Sequence, residues 1–181
     1  GRGAVSTRGA VALLFCLAAL PAAAQTRTVA VTFDDLPASG PDLGAAAEIT
    51  PRLLASIRRQ RVPAVGFVNE EKLRADTRGR TALLRMWVDA GLELGNHTYS
   101  HPSAHRTPLP AYLAEIARGD SVTRRLLAAR GTRPRFFRHP QLHTGRTLEY
   151  RQAVERFLAS KGYRVAPVTF DKDSKPKFDL E

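Results

Sequence analysis

Cysteine is nearly absent from this sequence: the one cysteine among 181 residues is Cys16. It lies in an apolar N-terminal stretch that we expect to be removed from the mature protein. Disulfides and thiolate-bound metal ions therefore cannot stabilise the folded chain. Any metal ion must instead be held by histidine and carboxylate side chains.

No apolar run is long enough to span a bilayer, which takes about 20 residues. The longest run, residues 10–20, follows Arg2 and Arg8 and precedes a proline and three alanines. A basic start, a short apolar segment and small residues before a cleavage point are typical of a signal peptide. We expect residues 1–24 to be a signal peptide and Gln25 to begin a periplasmic or secreted protein. The alternatives are an uncleaved anchor and a buried helix.

Acidic residues are scarce relative to basic ones. The chain has 28 Lys and Arg against 17 Asp and Glu, which gives a formal net charge of +11. A basic surface attracts polyanions, and outside the cytoplasm these are cell-wall polymers and acidic polysaccharides. Aromatic and basic residues are not interleaved as in single-strand-binding surfaces, so we expect no nucleic-acid partner. Genome composition is an equally good explanation of the arginine content.

After the N-terminal stretch, β-rich runs alternate with segments in which apolar residues have helical spacing. We predict strands at 28–33, 62–68, 92–96, 135–138 and 163–170, and helices at 48–61, 81–90, 108–130 and 148–161. Pro51 is expected in the first turn of the first helix. The third helix is expected to have Thr107 as N-cap and to break at Gly119 and Asp120. This alternation favours an α/β fold with a parallel sheet, open or closed into a barrel.

Polar side chains follow each predicted strand. The carboxyl ends of parallel strands meet on one face of a sheet or barrel, where active sites are assembled. The sequence therefore predicts one pocket lined by side chains from all five strand ends. These are Asp34, Asp35, Asn69, Glu70, His97, Arg138 and Asp171.

His97 and His101 form a candidate metal-binding pair. A separation of four residues places two imidazoles on one side of a helical turn. Asp35 would complete a two-histidine, one-carboxylate set that leaves a coordination position open. The adjacent carboxylates of Asp34 and Asp35 would repel each other in a closed pocket, so a metal ion and Arg138 are expected to compensate them. The alternatives are surface histidines and a polar turn.

Three short motifs resemble those of the polysaccharide deacetylase family, also called the NodB-homology family or carbohydrate esterase family 4. They are Thr-Phe-Asp-Asp at 32–35, His-Thr-Tyr-Ser-His at 97–101 and Phe-Arg-His-Pro at 137–140. The resemblance implies a partial or distorted (β/α) barrel. It also implies removal of N- or O-acetyl groups from an acetylated polysaccharide or oligosaccharide such as chitin oligomers, peptidoglycan or xylan.

The resemblance assigns a role to each residue at a matching position. Asp35, His97 and His101 would bind a divalent metal, most simply zinc, although cobalt, nickel and manganese also suit these ligands. Asp34 would be the general base that takes a proton from water. Arg138 would orient Asp34 and hold it as an anion.

Beyond the third motif, the sequence departs from the family pattern. Pro140, Gln141 and His143 are expected to line the substrate pocket, and the backbone N–H near Gln141 to stabilise the oxyanion. His143 stands in a stretch where the family pattern often has a Pro-Tyr pair.

The later motifs of the family, which carry a tryptophan and a general-acid histidine, have no counterpart here. We expect the deacetylase domain, residues 25–171, to lack its C-terminal strands, and residues 172–181 to be a polar tail. The alternative is that His105 or His143 supplies the proton to the leaving group.

Two other functions fit the same residues. The metal set also suits hydrolysis of linear amides that are not on sugars, which would make the protein an amidohydrolase. A chain without the later motifs could instead be an inactive cationic binder of wall glycans. The sequence gives no prediction of the oligomeric state.

Overall fold

The computed structural model describes residues 29–38 and 42–169. In these ranges the chain forms a five-stranded sheet of β1 (Val31–Leu36), β2 (Ala64–Val68), β3 (Glu93–Asn96), β4 (Phe136–Phe137) and β5 (Arg164–Val165). Neighbouring strands are parallel, and their spatial order follows the chain order. A sequential order without reversal is that of a (β/α) barrel rather than of a doubly wound sheet. The predicted α/β class and partial barrel are confirmed.

Helices alternate with these strands. They are α1 (Leu43–Gln60), α2 (Thr77–Asp89), α3 (Leu109–Arg118), α4 (Ser121–Ala128) and α5 (Leu148–Ser160), with 3₁₀ helices at Glu70–Ala75 and Pro140–Leu142. The expected break at Gly119 and Asp120 is confirmed, because α3 and α4 are separate helices. The expected signal peptide (1–24), Asp171 and the polar tail (172–181) lie outside the described residues.

Three predictions at helix beginnings are wrong. Helix α2 begins at Thr77 and not at residue 81, because the Asp76 carboxylate accepts a hydrogen bond from the Gly79 N–H at 2.8 Å and caps it. Helix α1 begins earlier than expected because the Asp42 carboxylate accepts a hydrogen bond from the Ala45 N–H at 3.2 Å and caps it. Pro51 is therefore in the helix interior instead of the first turn. Thr107 does not cap α3, since its hydroxyl donates to the Ser103 carbonyl at 2.8 Å.

The apolar side chains form two clusters. One joins α1, α2 and α4 to the first three strands and centres on Trp87, whose ring packs edge-to-face on Phe33 at 5.4 Å. The other joins α3 and α5 to β4 and contains Tyr112, Phe137 and Leu158, all buried. These clusters fix the strand ends from which the polar side chains emerge. Within residues 29–38 and 42–169, no helix combines the length and the apolar character needed to cross a membrane.

Candidate active site

Asp34 and Asp35 lie within β1, where the pairing with β2 is irregular. The register shifts between Phe33 and Leu36, and Asp35 has a left-handed backbone with φ of 68°. In a regular strand, adjacent side chains point to opposite faces. Because a bulge re-aims side chains, both carboxylates reach the same side, where each lies beside a histidine. The sequence placed these residues at the strand end, whereas the structure places them at an irregularity inside the strand.

His97 and His101 come together through a loop after β3, residues 97–103, which we call the histidine loop. The residues between them form no helical turn, contrary to the expectation from the spacing. Thr98 and His101 both have left-handed backbones, with φ of 65° and 63°. The Thr98 hydroxyl accepts a hydrogen bond from the His101 N–H at 3.2 Å. The two imidazole rings consequently meet edge to face, with centroids 4.9 Å apart.

The candidate metal ligands converge as the sequence predicts. Asp35, His97 and His101 each offer one atom, and these three atoms lie within 4.8 Å of one another. The His101 Nε2 atom is 3.7 Å from Asp35 Oδ1. Two imidazoles and one carboxylate are a donor set that suits zinc and leaves a position open. The residues present therefore fit a divalent ion.

His97 is prepared to act as a ligand through its Nε2 atom. Its Nδ1 lies 2.8 Å from the Arg138 carbonyl oxygen. Because a carbonyl can only accept, Nδ1 carries the proton and Nε2 keeps its lone pair. Burial lowers the pKa of His97 to about 4, so the ring is neutral at physiological pH. A backbone acceptor on the far nitrogen is the usual way in which a protein orients a metal-binding histidine.

Arg138 connects Asp34 to the interior of the protein. Its side chain is only 3% exposed; Nη1 lies 3.5 Å from Asp34 Oδ2, and Nη2 donates to the Thr32 hydroxyl at 3.2 Å. The guanidinium lies over the Phe67 ring at 4.9 Å from its centroid. The same Asp34 oxygen is 4.0 Å from His97 Nε2. Asp34 is thus beside the candidate metal ligands and beside a buried positive charge.

Lys72 also contacts the site, and the sequence analysis missed it. Its ammonium donates to Asp35 Oδ1 and to the Asp35 backbone oxygen, both at 3.0 Å. Burial raises the pKa of the Asp35 carboxyl, but the hydrogen bond and the charge of Lys72, together with His101 and His97, hold it below its usual value. No local sequence pattern indicates this contact, because it depends on which strand packs beside the short helix that carries Lys72.

Two other strand-end residues support the site without lining it. The Asn69 side chain is buried and donates to the carbonyl oxygens of His97 and Thr98 at 2.5 and 3.3 Å. The prediction that Asn69 and Glu70 line the pocket is wrong. The buried Glu70 carboxylate accepts hydrogen bonds from the N–H groups of Val122 and Thr123 at 2.7 to 3.0 Å. Glu70 takes this position because the first N–H groups of α4 have no acceptor within the helix, and a carboxylate beside a helix N-terminus is stabilising.

The segment after Arg138 contains the residues predicted to bind substrate. Pro140 is buried, and Gln141 is exposed with a left-handed φ of 58°. His143 Nδ1 is 2.8 Å from the hydroxyl of Ser103, two residues beyond His101. The His143 ring stacks on His105 with centroids 3.9 Å apart. This contact joins the segment to the histidine loop; the substrate-binding role remains a prediction.

Comparison with known proteins identifies the family to which the chain belongs. Residues 22–166 match the sequence profile described as polysaccharide deacetylase. The chain belongs to the polysaccharide deacetylase family. The resemblance predicted from the three motifs is thereby confirmed.

Individual members of the polysaccharide deacetylase family are similar over part of their length. A peptidoglycan-N-acetylglucosamine deacetylase of Bacillus cereus is 33% identical over 115 residues, 62% of this chain and 35% of that protein. The structure of a family 4 carbohydrate esterase from Streptomyces lividans in complex with acetate is 27% identical, with a TM-score of 0.55. The match covers 77% of this chain and 62% of that one.

A third similar protein shows the fold alone. It is a mutant of a Bacillus anthracis pseudoenzyme of carbohydrate esterase family 4 with restored activity, 23% identical with a TM-score of 0.58. The match covers 76% of this chain and 43% of that one. The chain thus spans about a third of the curated relative, 35%, and 43% to 62% of these two structures.

Proposed function

We propose that this protein hydrolyses N- or O-acetyl groups on a polysaccharide with the help of a divalent metal ion. One observation carries the proposal. The ligand atoms of Asp35, His97 and His101 lie within 4.8 Å of one another, and a second carboxylate, Asp34, lies 4.0 Å from His97 Nε2. The arrangement separates the residues that would hold the metal from the residue that would accept a proton.

The metal would be held by Asp35 and by His97 and His101. We propose zinc, with cobalt, nickel or manganese as substitutes, because imidazole and carboxylate ligands suit all four to different degrees. When bound, such an ion polarises a carbonyl oxygen and makes a water molecule more acidic. The buried His97 supports this role, since burial keeps the pKa of its ring at about 4 and leaves Nε2 unprotonated.

Asp34 is proposed as the general base. Its carboxylate is about a third exposed, so water and a substrate can reach it. The Arg138 guanidinium, 3.5 Å from Asp34 Oδ2, favours the ionised form that accepts a proton. A base placed in this way contributes a rate factor of roughly 10² to 10⁴. Arg138 therefore acts through Asp34 and also fixes His97 through its backbone carbonyl.

The substrate would be bound beside the histidine loop. Pro140, Gln141 and His143 are proposed to line the subsite, with the backbone N–H near Gln141 stabilising the oxyanion. His143, oriented by the Ser103 hydroxyl at 2.8 Å, is the candidate to donate a proton to the leaving amine or alcohol. His105, stacked on His143, is the alternative donor.

The substrate class is proposed from the relatives and the charge. The Bacillus cereus relative is a peptidoglycan-N-acetylglucosamine deacetylase. We therefore propose peptidoglycan and chitin oligomers as the preferred substrates and acetylated xylan as the next candidate. The net charge of +11 suits an anionic wall polymer. Together with the expected signal peptide, it supports a periplasmic or secreted location.

The test is acetate release by the full chain, with zinc or cobalt added, from acetylated chito-oligosaccharide, peptidoglycan and acetylxylan. A linear N-acetyl amine that is not a sugar serves as the amidohydrolase substrate, and His97→Ala is the control variant. Release from a glycan that disappears with His97→Ala supports the proposal. Release from the linear amide alone, or none from a folded, metal-loaded protein, would contradict it.

A further inference from the structure

The Lys72 ammonium contacts the carboxylate of Asp35, which is proposed to bind the metal. Its ammonium lies 3.0 Å from Asp35 Oδ1 and 3.0 Å from the Asp35 backbone oxygen. Asp35 Oδ1 is the same oxygen that lies 3.7 Å from His101 Nε2. A positive side chain therefore already binds the oxygen that faces the candidate ligand His101.

Lys72 is held in this position by its own helix, the 3₁₀ helix Glu70–Ala75. The Lys72 N–H donates to the Asn69 carbonyl at 3.2 Å, and the Glu71 N–H donates to the Tyr99 carbonyl in the histidine loop at 3.0 Å. Glu70 anchors the beginning of the helix to α4. The Lys72 side chain is 26% exposed. The lysine is thus placed by packed backbone instead of reaching in from the solvent.

We propose that Lys72 is an internal cation that competes with the divalent metal ion for Asp35 and so weakens metal binding. An ammonium and a divalent ion that share one carboxylate oxygen repel each other, and the repulsion is stronger in a partly buried site than in water. The ion must displace Lys72 from Oδ1 or bind beside it, and both cost binding free energy. This inference rests on the metal site of the proposed function.

The test is zinc affinity measured by titration calorimetry on the full chain at fixed pH and salt. Lys72→Met removes the charge but keeps a side chain of similar length. Because Lys72→Met removes the repulsion between the ammonium and the divalent ion in a partly buried site, we expect this variant to bind zinc at least about tenfold more tightly. Lys72→Arg keeps the charge and should stay near the wild type. Arg74→Met, an exposed position in the same helix, is the matched control and should leave the affinity unchanged.

Thermal unfolding with and without zinc gives a second readout. Without zinc, Lys72→Met should melt lower than the wild type because Asp35 loses its ion pair with Lys72. Zinc should raise the melting temperature of the variant more than that of the wild type. If Lys72 only positions Asp35, Lys72→Met will bind zinc more weakly than the wild type or equally well; either result overturns the inference. If neither protein binds zinc, the metal site of the proposed function fails as well.

Discussion

The buried amide of Asn69 is the clearest place to test how the histidine loop is held. Asn69→Asp keeps the size of the side chain but replaces the donor by an oxygen. In the wild type, the amide nitrogen donates to the His97 and Thr98 carbonyls at 2.5 and 3.3 Å. In the variant both carbonyls would face a carboxyl oxygen in a site that is only 1% exposed.

The magnitude follows from the two carbonyls that lose the amide donor. The His97 carbonyl keeps the Thr98 hydroxyl as a donor at 2.5 Å, so the Thr98 carbonyl is the acceptor that faces the carboxyl oxygen without this compensation. Because a buried acceptor that loses its partner costs about 1–3 kcal/mol, we expect a loss of about 2 kcal/mol in the free energy of unfolding. At roughly 2–4 °C per kcal/mol for a domain of this size, the melting temperature should fall by about 6 °C. Zinc affinity should fall about tenfold, because the His97 backbone is no longer fixed.

The assay is urea unfolding followed by circular dichroism, with zinc titration on the folded protein. Gln152→Glu, which makes the same chemical change at an exposed position of α5, is the control and should unfold like the wild type. If Asn69→Asp does not fold, Asn69→Ala replaces it in the same assay, because it also removes the amide donor. An Asn69→Asp protein that melts within about 2 °C of the wild type and binds zinc normally would refute the reasoning.

Three further predictions concern the frame of the site. Glu70→Gln should lower the free energy of unfolding by about 1–2 kcal/mol, because an amide is a weaker acceptor than a carboxylate for the N–H groups at the start of α4. Urea unfolding measures this change, and an unchanged midpoint would contradict the prediction. Gly119→Ala should cost about 1–3 kcal/mol and weaken zinc binding, since a Cβ there would meet the Thr98 carbonyl carbon at 2.7 Å; calorimetry and thermal melts measure both effects. Burial, followed by the charge of Arg151, lowers the pKa of His139 to about 4, whereas the unfolded value is about 6.5. As the pH falls, the unfolded chain therefore binds a proton on His139 before the folded protein does. The free energy of unfolding should keep the full contribution of neutral His139 above pH 6.5 and should decline as the pH falls towards 4. Urea midpoints at several pH values should show a smaller decline for His139→Gln than for the wild type.

The order of elements could be predicted from the sequence because local patterns determine it. The predicted bounds of β2, β3 and α5 lie within two residues of the observed ones. Each of these elements has a clear apolar pattern bounded by glycine, proline or a capping side chain. The same patterns misjudged the beginning of α1, where Asp42 starts the helix ahead of the apolar periodicity.

The side chains of the site were predicted where a motif names them, but their supports were not. The motifs named Asp34, His97 and Arg138, and the structure brings their side chains together. The functions of Glu70 and Lys72 depend on which elements pack beside the 3₁₀ helix after β2, and no local pattern contains that information. Left-handed residues in the histidine loop were unforeseen for the same reason, because hydrogen bonds from other segments stabilise them.

The proposal that Asp34 is the base on a metal-dependent deacetylase is tested most directly by comparing wild type and Asp34→Asn in two assays on the same preparation. Zinc affinity and acetate release from acetylated chito-oligosaccharide or peptidoglycan would both be measured. We predict zinc affinity within a few-fold of the wild type and acetate release reduced by at least about 100-fold. Acetate release by Asp34→Asn at the wild-type rate, with zinc bound, would contradict the account.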